Sequence, residues 1–76
     1  MKKPIFTLYR NIKYLRKQNR LTTGQLAEII EISEKKLIAA ERCEDVGYLY
    51  DKHLKNICLY FKVGADMLFN ERLYNG

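Results

Sequence analysis

Apolar residues recur along this chain at spacings of three and four, the period of a helix buried along one side. Leu8, Ile12 and Leu15, with Tyr9 beside them, predict a first helix over residues 7–18, with Arg10, Lys13, Tyr14 and Lys17 on its outer side. Leu26, Ala27 and Ile30 form the stripe of a second helix over 23–30. Leu37, Ala40 and Glu41 share one face of a third over 34–42, opposite Glu34, Lys35, Ile38, Ala39 and Arg42. Thr22 and Gln25 have the spacing of a capping box, and Ser33 suits the N-cap of the third helix. Leu54, Ile57, Cys58 and Phe61 mark a fourth helix over 49–61, on which His53 falls near a polar edge. Met67 and Leu68 belong to a short fifth helix over 65–69. Residues 43–48 have turn composition and no apolar period, so they read as a loop. Residues 1–5 read as a basic arm, and 70–76 as an extension of the fifth helix or a frayed tail. The expectation is one all-α domain spanning 1–76, a compact bundle of five helices.

The two central helices are too short to stand alone and must bury their stripes on each other and on their neighbours. Small Ala27 and Ala40 permit a close approach, and two such helices joined by a tight turn have the pattern of a helix-turn-helix. The stretch LTTGQLAEIIEISEKKLIAAER, residues 21–42, resembles the helix-turn-helix of the Cro/cI-type (lambda-repressor-like, XRE) family. That family typically reads Leu-Thr-Gln-x-x-Leu-Ala, then Gly-Val-Ser, then an apolar position and a Glu four and eight residues on. Leu21, Thr22, Leu26, Ala27, Ser33, Leu37 and Glu41 fall on this pattern. Thr23 stands in place of the Gln, Glu31 in place of the Gly and Ile32 in place of the Val. The likeness extends outward to residues 11–16 and 54–69, and so covers most of the chain.

The resemblance implies a lambda-repressor-like domain that binds double-stranded DNA as a transcriptional regulator, with its third helix in the major groove. Base-reading positions are then Glu34, Lys35, Ala39 and Ile38. Lys35 has the chemistry to donate to guanine and Glu34 to accept from cytosine, while Ala39 and Ile38 offer apolar contact with a thymine methyl. Thr23, Lys36, Arg42, Arg10 and Lys13 would meet phosphate, with Lys2 and Lys3 adding charge. The resemblance also implies an ion pair of Arg16 with Glu41 inside the domain. It implies a homodimer too, for which the apolar run Met67, Leu68, Phe69, Leu73 and Tyr74 offers a contact, although Leu68 and Leu73 would serve equally to close the bundle. A glycine replaced by Glu31 costs about 1 kcal/mol if that turn is left-handed.

Charge bears on this reading in both directions. Seven Lys and Arg residues precede the first acid, Glu28, whereas nine acids face seven bases from there on, so the +5 chain has a basic front and a slightly acidic remainder. A one-signed front attracts phosphate. Glu31, Glu34, Glu44 and Asp45, however, bring negative charge near the implied DNA face and oppose it. The alternative is a protein-interaction module of the same fold with weak or no DNA binding. Six tyrosines favour it, with Tyr14, Tyr48, Tyr50 and Tyr74 expected at the surface, where aromatics mark protein interfaces.

An apolar content of 47% with 30% charged residues is that of an ordinary globular chain, and 76 residues make one core. No apolar run approaches the ~18 residues of a membrane span, and no signal-peptide pattern follows the basic start. A cytoplasmic protein is expected. Cys43 and Cys58 are too few for a disulfide scaffold, and with one His they do not make a four-ligand zinc site. Ser33 and Lys36 match a Ser-x-x-Lys nucleophile by letters alone, and His53 has no acid-base partner in sight. No phosphate-cradling glycine loop occurs. No enzyme, metal or cofactor is expected.

Overall fold

The computed structural model describes residues 4–44 and 49–75. The first helix, α1 (Pro4–Gln18), opens on a proline, which suits a helix start because the N–H it lacks would find no partner there. It begins three residues earlier than the expected 7–18. Pro4 and Ile5 therefore belong to α1 and not to a loose arm, and residues 1–3 lie outside the described residues. Ile5 and Phe6 pack against the stripe of Leu8, Tyr9, Ile12 and Leu15.

The next helices, α2 (Thr23–Ile30) and α3 (Glu34–Glu41), are each capped by the side chain the chain offers. Thr22 Oγ1 accepts the Gln25 N–H at 3.1 Å and Gln25 Oε1 accepts the Thr22 N–H at 2.8 Å. Ser33 Oγ accepts the Lys36 N–H at 3.3 Å. The third helix stops at Glu41, and Arg42 is its C-cap. Most of the expected 43–48 loop, residues 45–48, lies outside the described residues, and α4 (Asp51–Phe61) starts two residues later than the expected 49–61.

The C-terminal part holds two single-turn helices, α5 (Ala65–Leu68) and α6 (Arg72–Asn75). The described residues thus form six helices and no strand, which corrects the five expected. Residues 70–76 were expected to extend α5 or fray, but α6 has anchors of its own. Asn70 Oδ1 accepts the Arg72 N–H at 2.9 Å, and Leu73 packs on the core. Buried Asn11 on α1 donates from Nδ2 to the carbonyls of Leu68 at 2.6 Å and Asn70 at 3.0 Å. The Leu68 carbonyl, the last of α5, is thereby satisfied, and the Asn70 carbonyl, which also accepts the Leu73 N–H at 3.1 Å, is tied to α1.

Four helix ends share one device. Arg20, Glu31, Cys43 and Lys62 follow α1, α2, α3 and α4 with φ between 55° and 61°, the left-handed region. In each case the next N–H reaches back five residues: Leu21 to Arg16, Ile32 to Ala27 and Glu44 to Ala39 at 3.0 Å, and Val63 to Cys58 at 3.2 Å. Glycine usually fills such a position, and a side chain there costs about 1 kcal/mol.

The core joins Leu8, Tyr9, Ile12 and Leu15 with Leu26, Ala27, Ile30, Leu37, Ala40, Ile57 and Leu68. The first helix packs against α3, α5 and α6, and α2 packs against α3 and α4. A radius of gyration of 11.1 Å is that of a fully packed chain of this length, for which ~11 Å is expected. Among the described residues no helix is long and apolar enough to cross a membrane.

Candidate functional site

The geometry of α3 follows from its 100° step. Leu37, Ala40 and Glu41 are buried, so the opposite face carries Lys35, Ala39 and Arg42. Ile38 falls on one flank and Lys36 on the other. Lys35, Lys36 and Arg42 are exposed, and Ile38 and Ala39 are half-buried. Each flank borders a depression, so α3 stands as a ridge between two troughs.

The larger trough, about 330 Å3, lies on the α1 side. Lys13, Lys17, Thr23, Ile38 and Arg42 line it, and Arg16 and Glu41 form its floor. Lys17 was expected only as an exposed residue, yet it is one turn beyond Lys13 on the same face of α1, so this pairing was readable from spacing. On the floor, Arg16 Nε donates to Glu41 Oε2 at 2.7 Å and Nη2 donates to Oε1 at 2.8 Å, while Nη1 reaches the Leu21 carbonyl at 2.8 Å. This is the two-pronged pair that guanidinium and carboxylate favour. It joins α1 to α3 and the α1–α2 turn, and it cancels its own charge. The free charge of the trough therefore comes from Lys13 and Lys17, with Arg42 shared with Glu44 across an exposed 3.8 Å pair.

The carboxylates near α3 are turned onto internal partners. Glu34 Oε2 accepts the Thr23 hydroxyl at 2.6 Å, and a Cβ on Gly24 would stand 3.5 Å from that oxygen. Thr23 and Glu34, expected as separate phosphate and base contacts, are thus bonded to each other, with the carboxylate over the first turn of α2. Glu31 Oε2 accepts from Asn56 Nδ2 at 3.3 Å. Glu44 lies 3.8 Å from Arg42 across an exposed pair, a contact worth little. Asp45 and Tyr48 lie outside the described residues.

Arg10 does not line the larger trough. Its guanidinium stands 5.8 Å from the centre of the Tyr74 ring, and the Tyr74 hydroxyl, with a smaller contribution from the Cys43 thiol, raises its proton affinity. Arg10 therefore braces α6, and Tyr74 and Tyr14, expected at the surface, are both half-buried. Tyr50 remains widely exposed.

The smaller trough, about 200 Å3, lies on the α4 side and is lined by Ser33, Lys36, Tyr50, Lys52 and His53 together with the α2–α3 turn. His53 is buried, not at a polar edge as expected, because the side of α4 that carries it faces that turn. Its Nδ1 accepts the Tyr50 N–H at 3.0 Å, which caps α4. Burial pushes the imidazole below its ordinary 6.5, Lys52 adds to this, and the Glu31 carbonyl and carboxylate oppose it. Lys52 and Tyr50 are contributions that the spacing of apolar residues could not reveal, since they depend on how the start of α4 meets the α2–α3 turn.

Neither cysteine is bonded, and no metal-binding cluster of three or more His, Cys, Asp or Glu occurs among the described residues. No family model matches the chain, and no curated protein and no solved structure matches it.

Proposed function

We propose that α2 and α3 are a helix-turn-helix of the Cro/cI kind and that the protein is a DNA-binding transcriptional regulator, with no catalytic role, that acts as a homodimer. The third helix enters the major groove, with Lys35 and Ala39 on its leading face and Ile38 and the Thr23-bound Glu34 towards α1. The observation that carries this reading is the larger trough. It brings Lys13, Lys17 and Arg42 from two helices to one side of an outward-facing ridge, while the acid on its floor is neutralised by Arg16. Backbone phosphate contributes most of the affinity in such a complex, and base edges add the discrimination.

The test is binding to a pool of duplex fragments followed by fluorescence anisotropy across a salt series. About six phosphate contacts give a slope near −5 in log affinity against log salt. Lys35→Ala with Lys36→Ala should weaken binding by ~1–3 kcal/mol, and an unchanged affinity would rule out this docking of α3. Absence of binding at ~50 mM salt would reject the DNA reading itself.

A second reading, a protein-interaction module, is favoured by a different observation. Leu59, Tyr60, Met67 and Phe69 are exposed on α4 and around α5, with Leu59 at 67%. Apolar side chains left in water in this number are a common mark of a partner surface. A chain that failed to bind duplex yet self-associated or bound protein through Leu59 would fit that reading.

A further inference from the structure

We propose that the smaller trough, between the first turn of α3 and the start of α4, is a phosphodiester site that grips one backbone of a duplex while the larger trough grips the other. The second half of this statement rests on the DNA reading above; the first half does not.

The argument begins with charge. Two ammonium groups from separate elements, Lys36 on α3 and Lys52 on α4, border the trough. Its single acid, Glu31, is held by the Asn56 amide. The balance is one net positive charge, the complement of a phosphodiester, which carries one negative charge. The Ser33 hydroxyl accepts the Lys36 N–H and keeps its own proton free to donate. The floor is the buried His53, whose Nδ1 is occupied by the Tyr50 N–H and therefore carries no proton. That neutral ring feels both lysines, which with burial lower its proton affinity against the opposing pull of Glu31, so it reports on the charge gathered in the trough. At the rim the Tyr50 ring is 65% exposed and tilted 36° over His53 with 5.7 Å between centroids, placed to pack against a sugar.

Geometry then says what kind of nucleic acid fits. Lys36 and Ile38 flank the buried Leu37, so the two troughs lie on opposite sides of α3. A helix with its side chains is ~10–12 Å across. The major groove of B-form DNA is ~12 Å wide between its two backbones. A ridge of that width with a cationic trough on each side matches two strands, and a lone strand has only one backbone to offer.

The experiment compares the full chain with Lys52→Gln and with the double variant Lys13→Gln, Lys17→Gln, all at exposed or half-exposed positions. Duplex and single-stranded oligonucleotides of one sequence are titrated by anisotropy, and the His53 ring is followed by NMR against pH, alone, with duplex and with inorganic phosphate. Lys52→Gln is expected to lower duplex affinity about 3–10-fold and to reduce the salt slope by about 1. Duplex is expected to raise the His53 midpoint, because bound phosphate offsets the lysines, and Lys52→Gln should raise it in the free protein. Loss of affinity in the double variant alone, with His53 unmoved by duplex, overturns the second site and leaves the DNA reading standing. A single strand bound as tightly as duplex overturns the two-backbone grip. No duplex binding with a His53 midpoint raised by inorganic phosphate keeps the phosphate site and rejects the DNA reading. A midpoint indifferent to both ligands rejects the site.

Discussion

Replacing Arg16 by alanine removes more than one contact. The side chain gives two charge-assisted bonds to Glu41 and one to the Leu21 carbonyl, all at 2.7–2.8 Å. The Arg16 and Glu41 side chains are 13% and 6% exposed, so the carboxylate left behind is a buried charge without its partner. Breaking a buried pair from one side costs ~3–5 kcal/mol. Arg16 lines an open trough that admits some water, which places the expected loss at the lower end, about 3 kcal/mol. For 76 residues the total stability is on the order of 4–11 kcal/mol, so this is a large fraction of it. Urea unfolding followed by circular dichroism measures it, with an unchanged slope showing that only stability moved. A loss under ~0.5 kcal/mol would mean that the pair is solvated and that the reasoning fails. The paired change Arg16→Met with Glu41→Leu separates stability from geometry. It should restore most of the loss, since an apolar pair of similar volume is often neutral or better.

Three further outcomes are expected. Lys62→Gly should stabilise by about 0.5–1 kcal/mol in the same urea assay, because φ is 58° there and Lys62 is exposed. Glu31→Gly should gain less, having lost the bond to Asn56. Asn11→Ala should cost about 2 kcal/mol and speed hydrogen exchange in α6, since the Leu68 carbonyl loses its donor and the Asn70 carbonyl, left with the Leu73 N–H alone, loses its tie to α1. Native-state exchange with α6 as protected as before would contradict this. For His53 the folded value is depressed, so the unfolded chain binds the proton more readily. Stability is then complete above pH ~6.5, falls as the pH drops through the unfolded value to the folded one, and levels off below it. Thermal melts between pH 7.5 and 5 should show this fall, and His53→Gln should flatten it. A rise in stability over that range would be inconsistent with the burial of the ring.

The segment 21–42 was legible because its information is local. Its caps need only Thr22, Gln25 and Ser33, and its stripes need only the helical period, so the bounds 23–30 match and α3 differs by one residue. The left-handed turn at Glu31, raised only as a condition by the glycine that the resembled family places there, has φ 61°. The Arg16–Glu41 contact, 25 residues apart, came from resemblance and not from spacing. What escaped was fixed by distant partners. The sixth helix is one turn long and is held by Leu73 on the core, by Tyr74 beside Arg10 and by the Asn70 link to Asn11, so its anchors lie largely on α1. On α4 the apolar pattern pointed to Leu54, Ile57, Cys58 and Phe61, yet His53 and Ile57 are the buried pair and the other three are half-buried. The α2–α3 turn lies on the His53 side and offers polar backbone to bond, which outweighs the apolar count.

The same distinction governs how acids near a binding surface are to be counted. As letters, Glu31, Glu34 and Glu44 subtract three charges from the surroundings of α3. As placed, each has an internal partner, Asn56, Thr23 or Arg42, and they are not equivalent. Neutral partners leave the charge of Glu31 and Glu34 intact but fix its direction. Glu34 is drawn over the start of α2, where the helix dipole favours an anion. A phosphate approaching that helix end meets a carboxylate already there, whereas one approaching Lys13 and Lys17 meets uncancelled cations and one approaching Lys36 and Lys52 meets a net single positive charge. The proposed contacts therefore shift from the helix end to the two flanks of α3. Affinity should depend more on those four lysines than on Thr23.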